Sequence, residues 1–155
     1  MEHEEYMRQA LELARLAMAE GEVPVGCVIV RDGAVVGRGR NRRETAQTAL
    51  GHAELEAIAQ ACRTLGGWRL AGCALYVTLE PCPMCAGAIV NARIPAVYYG
   101  AKDDKAGCCG SVLNLFEERF NHHPRIYGRV LEAECAALLQ EFFQSLQEMV
   151  RWASH

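Results

Sequence analysis

Two short motifs that must meet in space constrain this chain more than anything else in it. His52-Ala53-Glu54 is followed about thirty residues later by Pro81-Cys82-Pro83-Met84-Cys85, giving the pattern H-x-E…P-C-x-x-C. Cys82 and Cys85 stand at i, i+3, which puts both sulfurs on one face of a helical turn. Pro81 and Pro83 mark where that turn starts, because proline loses no hydrogen bond in a first helical turn. The positive end of the helix dipole stabilises thiolates there, and thiolates are the form that binds a metal. His52 supplies a third ligand and leaves the fourth tetrahedral position to water. That is the arrangement of a catalytic zinc site, whereas structural sites close with four protein ligands.

Glu54 separates this pattern from simpler ones. At i, i+2 from His52 it leaves the ligand face of the helix, unlike the i, i+4 histidines of HExxH proteases. It is poorly placed as a ligand but borders the same pocket from the first turn. A carboxylate beside an activated water can take its proton and return it to a substrate nitrogen. A structural Cys/His knuckle and a redox CxxC pair are the plainer readings. The first gives Glu54 no purpose, and the second needs no upstream His-x-Glu.

At 155 residues, 51% of them hydrophobic and 23% charged, the chain is sized for a single domain over residues 1–155. No apolar run is long enough to span a bilayer, and the acidic start Met1-Glu2-His3-Glu4-Glu5 lacks the blocks of a signal peptide. Eight cysteines with no secretion signal are expected to be reduced thiols in a cytoplasmic protein. Cys27, Cys62, Cys73 and Cys135 read as packed small residues, and the adjacent Cys108-Cys109 as spectators. The net charge of −3 gives no global nucleic-acid signal, so an RNA partner would need a local basic patch.

Met7, Ala10, Leu11, Ala14, Ala17 and Met18 recur at helical spacing up to Gly21. Val25 to Val30 reads as a buried strand, Asp32-Gly33 as a hairpin turn, and Val35 onward as an antiparallel return. A second helix runs from near His52 to Gly66-Gly67, then a strand over Ala74 to Val77. A third helix begins at Cys82 and ends before Pro95, and Ala96 to Tyr99 forms a fourth strand. A polar stretch from Ala101 to Gly110 precedes a short helical piece over Leu113 to Phe116. A strand over Ile126 to Val130 leads to a final helix from about Glu132 to Trp152. This order predicts a mixed sheet with helices on both faces. His52 and the two cysteines each fall at the start of a helix, and such N-termini side by side at a sheet edge form a crevice with convergent donors.

The H-x-E…P-C-x-x-C pattern is the signature of the zinc-dependent deaminases of nucleosides and nucleobases. Val23-Pro24-Val25-Gly26, Asn41 and the run from Leu75 to Ala88 resemble the bacterial tRNA-specific adenosine deaminases over nearly the whole chain. Asn121-His122 and the segment from Glu134-Cys135-Ala136 to Phe142-Phe143 add to the likeness. The resemblance implies an α/β fold, the cytidine deaminase-like three-layer α/β/α sandwich with a mixed five-stranded sheet, and a homodimer. It implies hydrolysis of adenosine to inosine at the wobble position of tRNA anticodons, by zinc-activated water with Glu54 as proton shuttle. His52, Cys82 and Cys85 would hold one zinc ion per subunit. An anticodon loop already presents unpaired bases, so exposing one costs at most a few kcal/mol.

By the same resemblance Asn41 would hydrogen-bond the base, and Val23 and Ala53 would line its pocket. Arg38, Arg40 and Arg42 alternate at strand spacing, and Arg43 adds to them. Arg42 is the expected phosphate contact, although a charged strand edge has the same appearance. Lys102, Lys105, His122 and His123 are weaker candidates. Phe143 would approach the anticodon, with one of the pair Phe142-Phe143 in the core. The chain departs from the family at Thr48-Ala49-Leu50-Gly51 before the histidine, and in ending Met149-Val150-Arg151-Trp152-Ala153-Ser154-His155 without a basic tail. On the residues alone two rivals stay open. One is a deaminase of a small free substrate, such as cytosine, cytidine, deoxycytidylate or guanine, and the other is a catalytically silent zinc scaffold that binds RNA or a partner.

Overall fold

The apolar run after Pro24 becomes β1 (Gly26–Arg31), the strand on which the fold is assembled. Its side chains alternate between two cores, Cys27 and Ile29 on one face and Val28 and Val30 on the other. A strand buried on both faces needs no polar alternation, which is why this segment is continuously apolar. The turn at Asp32-Gly33 returns the chain as β2 (Ala34–Arg40), antiparallel to β1. Then come α2 (Ala53–Leu65), β3 (Cys73–Leu79), α3 (Pro83–Asn91), β4 (Ala96–Ala101), β5 (Arg125–Tyr127) and α4 (Glu132–Ala153), after the opening helix α1 (Glu2–Ala19). This is a computed structural model, and it describes residues 2–153. Met1, Ser154 and His155, which belong to the acidic start and the tail noted above, lie outside them.

The sheet order is β2-β1-β3-β4-β5, with β1 antiparallel to both neighbours and β3, β4 and β5 parallel. α1 and α4 cover one face, where Met7, Ala10, Leu11 and Ala14 meet Val28, Tyr76, Cys135 and Leu138. α2 and α3 cover the other, with Ala57, Ala61, Ala86 and Ile89 against Ile29, Leu75, Val77 and Val97. The result is a three-layer α/β/α sandwich with a mixed five-stranded sheet. Small residues let α2 lie close to the sheet: Cβ atoms built on Gly37 and Gly39 would come within 2.3 Å and 2.1 Å of the carbonyl oxygens of Ala57 and Ala53.

Two elements differ from the sequence expectation. The last strand starts at Arg125 and stops at Tyr127 instead of running to Val130. Arg129 (φ +69°) and Leu131 (φ +52°) turn the backbone left-handed, and beyond Tyr127 the segment stays beside β4 through the bond from Val130 N–H to Tyr99 O at 3.0 Å. The helical piece expected over Leu113 to Phe116 is a single 3₁₀ turn, Leu115–Glu117, capped by the Asn114 side chain. Among the described residues no helix is long and apolar enough to cross a membrane.

Candidate active site

The site is built where α2 and α3 begin. His52 is the N-cap of α2 and Cys82 the N-cap of α3, with Pro83 in its first turn. Neither side chain caps its own helix. Instead His52 Nδ1 lies 3.6 Å from Cys82 Sγ and 3.5 Å from Cys85 Sγ. All three donor atoms fall within 4.8 Å of one another. A tetrahedral zinc with nitrogen at about 2.0–2.1 Å and sulfur at about 2.3 Å separates such donors by about 3.6 Å. The observed spacing and the donor types therefore fit a zinc ion.

The three donors also shift one another's hold on protons. A hydrogen bond from the Cys85 thiol, opposed by burial and helped by His52, pulls Cys82 down to about 4. The same bond and deep burial push Cys85 well above the thiol range. His52 is raised by its contact with Cys82, against the effect of burial. Glu54, only 4% exposed, is pushed up to about 7, chiefly by burial.

A cleft of about 550 Å³ opens onto His52, Glu54 and Cys82, while Cys85 is buried behind it. Val23, Asn41 and Ala53 line the same cleft. Asn41 is 8% exposed, and its amide is partly committed. Its Nδ2 donates to Val23 O at 3.2 Å, and its Oδ1 accepts from Arg43 N–H at 3.1 Å. One N–H and one lone pair are left for a ligand. Phe143 and Leu139 reach the cleft from α4, and Lys102 and Lys105 from the loop after β4. The expectation that one of the two phenylalanines is core does not hold. Phe143 is 48% exposed, Phe142 is half-buried, and their rings pack edge to face at 5.4 Å.

The arginines sort differently from their alternation in sequence. Arg40 is paired with Glu20, Nε to Oε1 at 2.7 Å. Arg42 lies outside the cleft, with its Nε 3.1 Å from Glu56. Arg43 lines the cleft, and among the described residues its side chain has no carboxylate partner. His122 and His123 are tied to the carbonyls of Ile94 and Phe116 and do not line the cleft.

Two buried carboxylates went unread in the sequence. Glu80 takes N–H bonds from Asp103, Cys109 and Ser111 and a hydroxyl bond from Ser111, which shapes the loop carrying Lys102 and Lys105. Glu22 takes N–H bonds from Glu44 and Thr45 and the Thr45 hydroxyl. The only sequence signal was a lone acid beside an apolar or metal-binding segment. Cys108 and Cys109 are buried beside Glu80 and are not part of the three-donor cluster.

A MafB19-like deaminase family model matches residues 1–147. A tRNA-specific adenosine deaminase of Bacillus subtilis is 50% identical over 144 residues, 92% of this chain and 89% of the relative. The chain belongs to the tRNA-specific adenosine deaminase family. Among solved structures this family member is similar to a tRNA:A34 deaminase studied for A-to-I editing at the wobble position of transfer RNA. That match has a TM-score of 0.84 at 44% identity, over 86% of this chain and 98% of the other. A guanine deaminase from Bacillus subtilis is more distant, with a TM-score of 0.64 at 34% identity over 96% of this chain and 95% of that one. The fold is the cytidine deaminase-like sandwich common to these enzymes.

Proposed function

We propose that this protein converts adenosine to inosine at the wobble position of tRNA anticodons, with release of ammonia. The observation that carries the reading is the meeting of the His52/Cys82/Cys85 donor set with a buried Glu54 in one cleft, in a chain this similar to tRNA-specific adenosine deaminases. The greater identity to that group than to the guanine deaminase favours RNA over a free base.

His52, Cys82 and Cys85 would hold one zinc ion per subunit. When bound, zinc supplies Lewis acidity that makes water a nucleophile near neutral pH. Everything else falls to the chain. Burial raises the proton affinity of Glu54, the direction that suits a carboxyl which must hold a proton and then hand it on. Glu54 takes a proton from the attacking water and delivers it to N1 of adenine, then moves the remaining proton of the oxygen added at C6 to the amine, so that the C6–N bond breaks, ammonia leaves and the C6 carbonyl forms. Asn41 presents its remaining N–H and lone pair to the base edge. Val23 and Ala53 give the base an apolar wall, which also keeps bulk water from the reacting carbon. Phe143 offers a ring at the rim for an adjoining base to stack on. Arg43, Lys102 and Lys105 bring cations to a rim that also carries Asp103 and Asp104, and of the three cations only Arg43 lies away from those carboxylates in the chain. Arg42 could serve this rim only by leaving Glu56.

The partner is the anticodon stem-loop. A second copy of the chain is the natural cover for α3, whose nine residues include no charge and expose Pro83 and Gly87, with Val112 and Leu113 exposed on the loop beyond β4. All eight cysteines are free, which suits the reducing cytoplasm. Offering the zinc-loaded protein a wobble-adenosine stem-loop beside free adenosine, cytidine, cytosine, deoxycytidylate and guanine tests the reading. Ammonia release from the RNA alone is expected. Release from a free base or nucleotide instead would make the protein a metabolite deaminase.

A further inference from the structure

Arg40 and Arg42 are neutralised by Glu20 and Glu56, whereas Arg43 stands at the cleft mouth with no acid against it among the described residues. Arg43 is exposed and follows the end of β2, in a turn closed by backbone bonds from Ala46 N–H to Arg42 O at 2.8 Å and from Thr48 N–H to Arg43 O at 3.1 Å. What ties this turn to the segment before β1 is Glu22, 1% exposed and twenty-odd residues earlier in the chain. Its Oε1 accepts the Glu44 N–H at 3.1 Å, and its Oε2 accepts the Thr45 N–H at 2.6 Å together with the Thr45 hydroxyl. On the other side of Arg43, Asn41 ties the same two segments together through Val23 O and the Arg43 N–H. The loop then closes on itself, since Arg42 N–H donates to Gly51 O at 2.9 Å, and the chain passes directly into His52.

A carboxylate buried in this way costs desolvation energy, and hydrogen bonds to a charged acceptor must offset it. A plain loop anchor needs no charge. An anionic acceptor is suited to gathering several N–H and O–H donors at one point, and here those donors immediately follow the unpaired arginine. We propose that Glu22 is a positioning residue that fixes the backbone at Glu44 and Thr45 so that Arg43 meets a phosphate of the bound RNA. The inference rests on the RNA reading above. Glu22 touches neither the base nor the metal donors and acts through Arg43.

The test is equilibrium binding of a fluorescently labelled wobble-adenosine stem-loop to the zinc-loaded full chain across a salt series. Arg43→Gln should weaken binding about tenfold and reduce the salt slope by about 0.7, the contribution of one single-strand phosphate. Glu22→Gln should reproduce both losses with Arg43 still present. The double variant should then bind no more weakly than either single one, because the two residues act as a unit. Thr45→Val, which removes only the hydroxyl, should give a smaller loss of the same kind and covers the case in which Glu22→Gln does not fold. Unchanged binding in folded Glu22→Gln, losses that add in the double variant, or an unchanged salt slope would overturn the proposal. Salt-sensitive binding without inosine formation would sink the wobble reading and leave the role of Glu22 standing. A wild-type protein that does not bind the stem-loop would overturn both.

Discussion

Gly39 on β2 lies so close to α2 that a Cβ there would sit 2.1 Å from the carbonyl oxygen of Ala53. Ala53 is the first residue of α2, between His52 and Glu54, so this contact sets how the metal donor and the acid enter the cleft. Gly39→Ala should push the start of α2 off the sheet and cost about 2 to 3 kcal/mol of stability. It should also reduce zinc retention, because His52 moves with the helix. Urea unfolding and elemental analysis check both, and a stable, fully loaded variant would show that the helix can shift freely.

Glu54→Gln keeps the size of the side chain and removes its capacity to carry a proton. The turnover rate should fall by about 10² to 10⁴. Zinc content and stem-loop affinity should stay at wild-type levels, since Glu54 is outside the donor cluster. Single-turnover kinetics beside a binding titration separates these quantities. A loss confined to affinity would remove Glu54 from the proton-transfer role.

How far the site was legible in the sequence follows from what each residue answers to. His52, Cys82 and Cys85 declare themselves through local spacing, and the helix starts that position them are marked by proline and by the onset of apolar periodicity. The β1 run and the Asp32-Gly33 turn are local signals of the same kind. Arg42 and Arg43 are different. Alternation at period two assigned Arg38, Arg40 and Arg42 to one side, but β2 ends at Arg40 and the phase is lost at Asn41. The residue at the mouth is Arg43. Glu22 and Glu80 were invisible because their partners, backbone N–H groups and one hydroxyl each, lie on loops more than twenty residues away. A threonine or a serine in a loop does not by itself point to a carboxylate so far along the chain. The early end of β5 depends on the left-handed residues Arg129 and Leu131, which bear no glycine to signal them.

Glu22 also predicts an acid limb in stability. Burial would raise its pKa, but hydrogen bonds from the Thr45 hydroxyl and the Thr45 and Glu44 N–H groups outweigh burial and the nearby Glu20 charge, leaving it below the usual carboxylate value. A depressed folded-state pKa stabilises the protein above the unfolded value of about 4.3 and loses that effect as pH falls through the folded value. Wild type should therefore exceed Glu22→Gln in stability at pH 7 by about 1 to 3 kcal/mol, with the gap closing below about pH 4. Unfolding titrations of both proteins at several pH values measure the gap. A gap that stays constant to pH 3 would contradict this account of Glu22.

Removal of the metal should abolish turnover, and restored zinc should bring it back with one ion per chain. Cys82→Ser should lose most of the bound zinc, because a hydroxyl is a far weaker ligand than a thiolate whose pKa is already about 4. Melting temperature with and without chelator, read beside elemental analysis, should fall together with zinc content. Full turnover in zinc-free protein would reject the assignment of His52, Cys82 and Cys85.

The most direct test of the whole account is nucleoside mass analysis of a stem-loop carrying adenosine at the wobble position, after incubation with the zinc-loaded protein. A parallel stem-loop carries cytidine at that position. The account predicts inosine at the wobble adenosine and no uridine from the cytidine control. A folded, zinc-loaded protein that leaves the adenosine intact would contradict it.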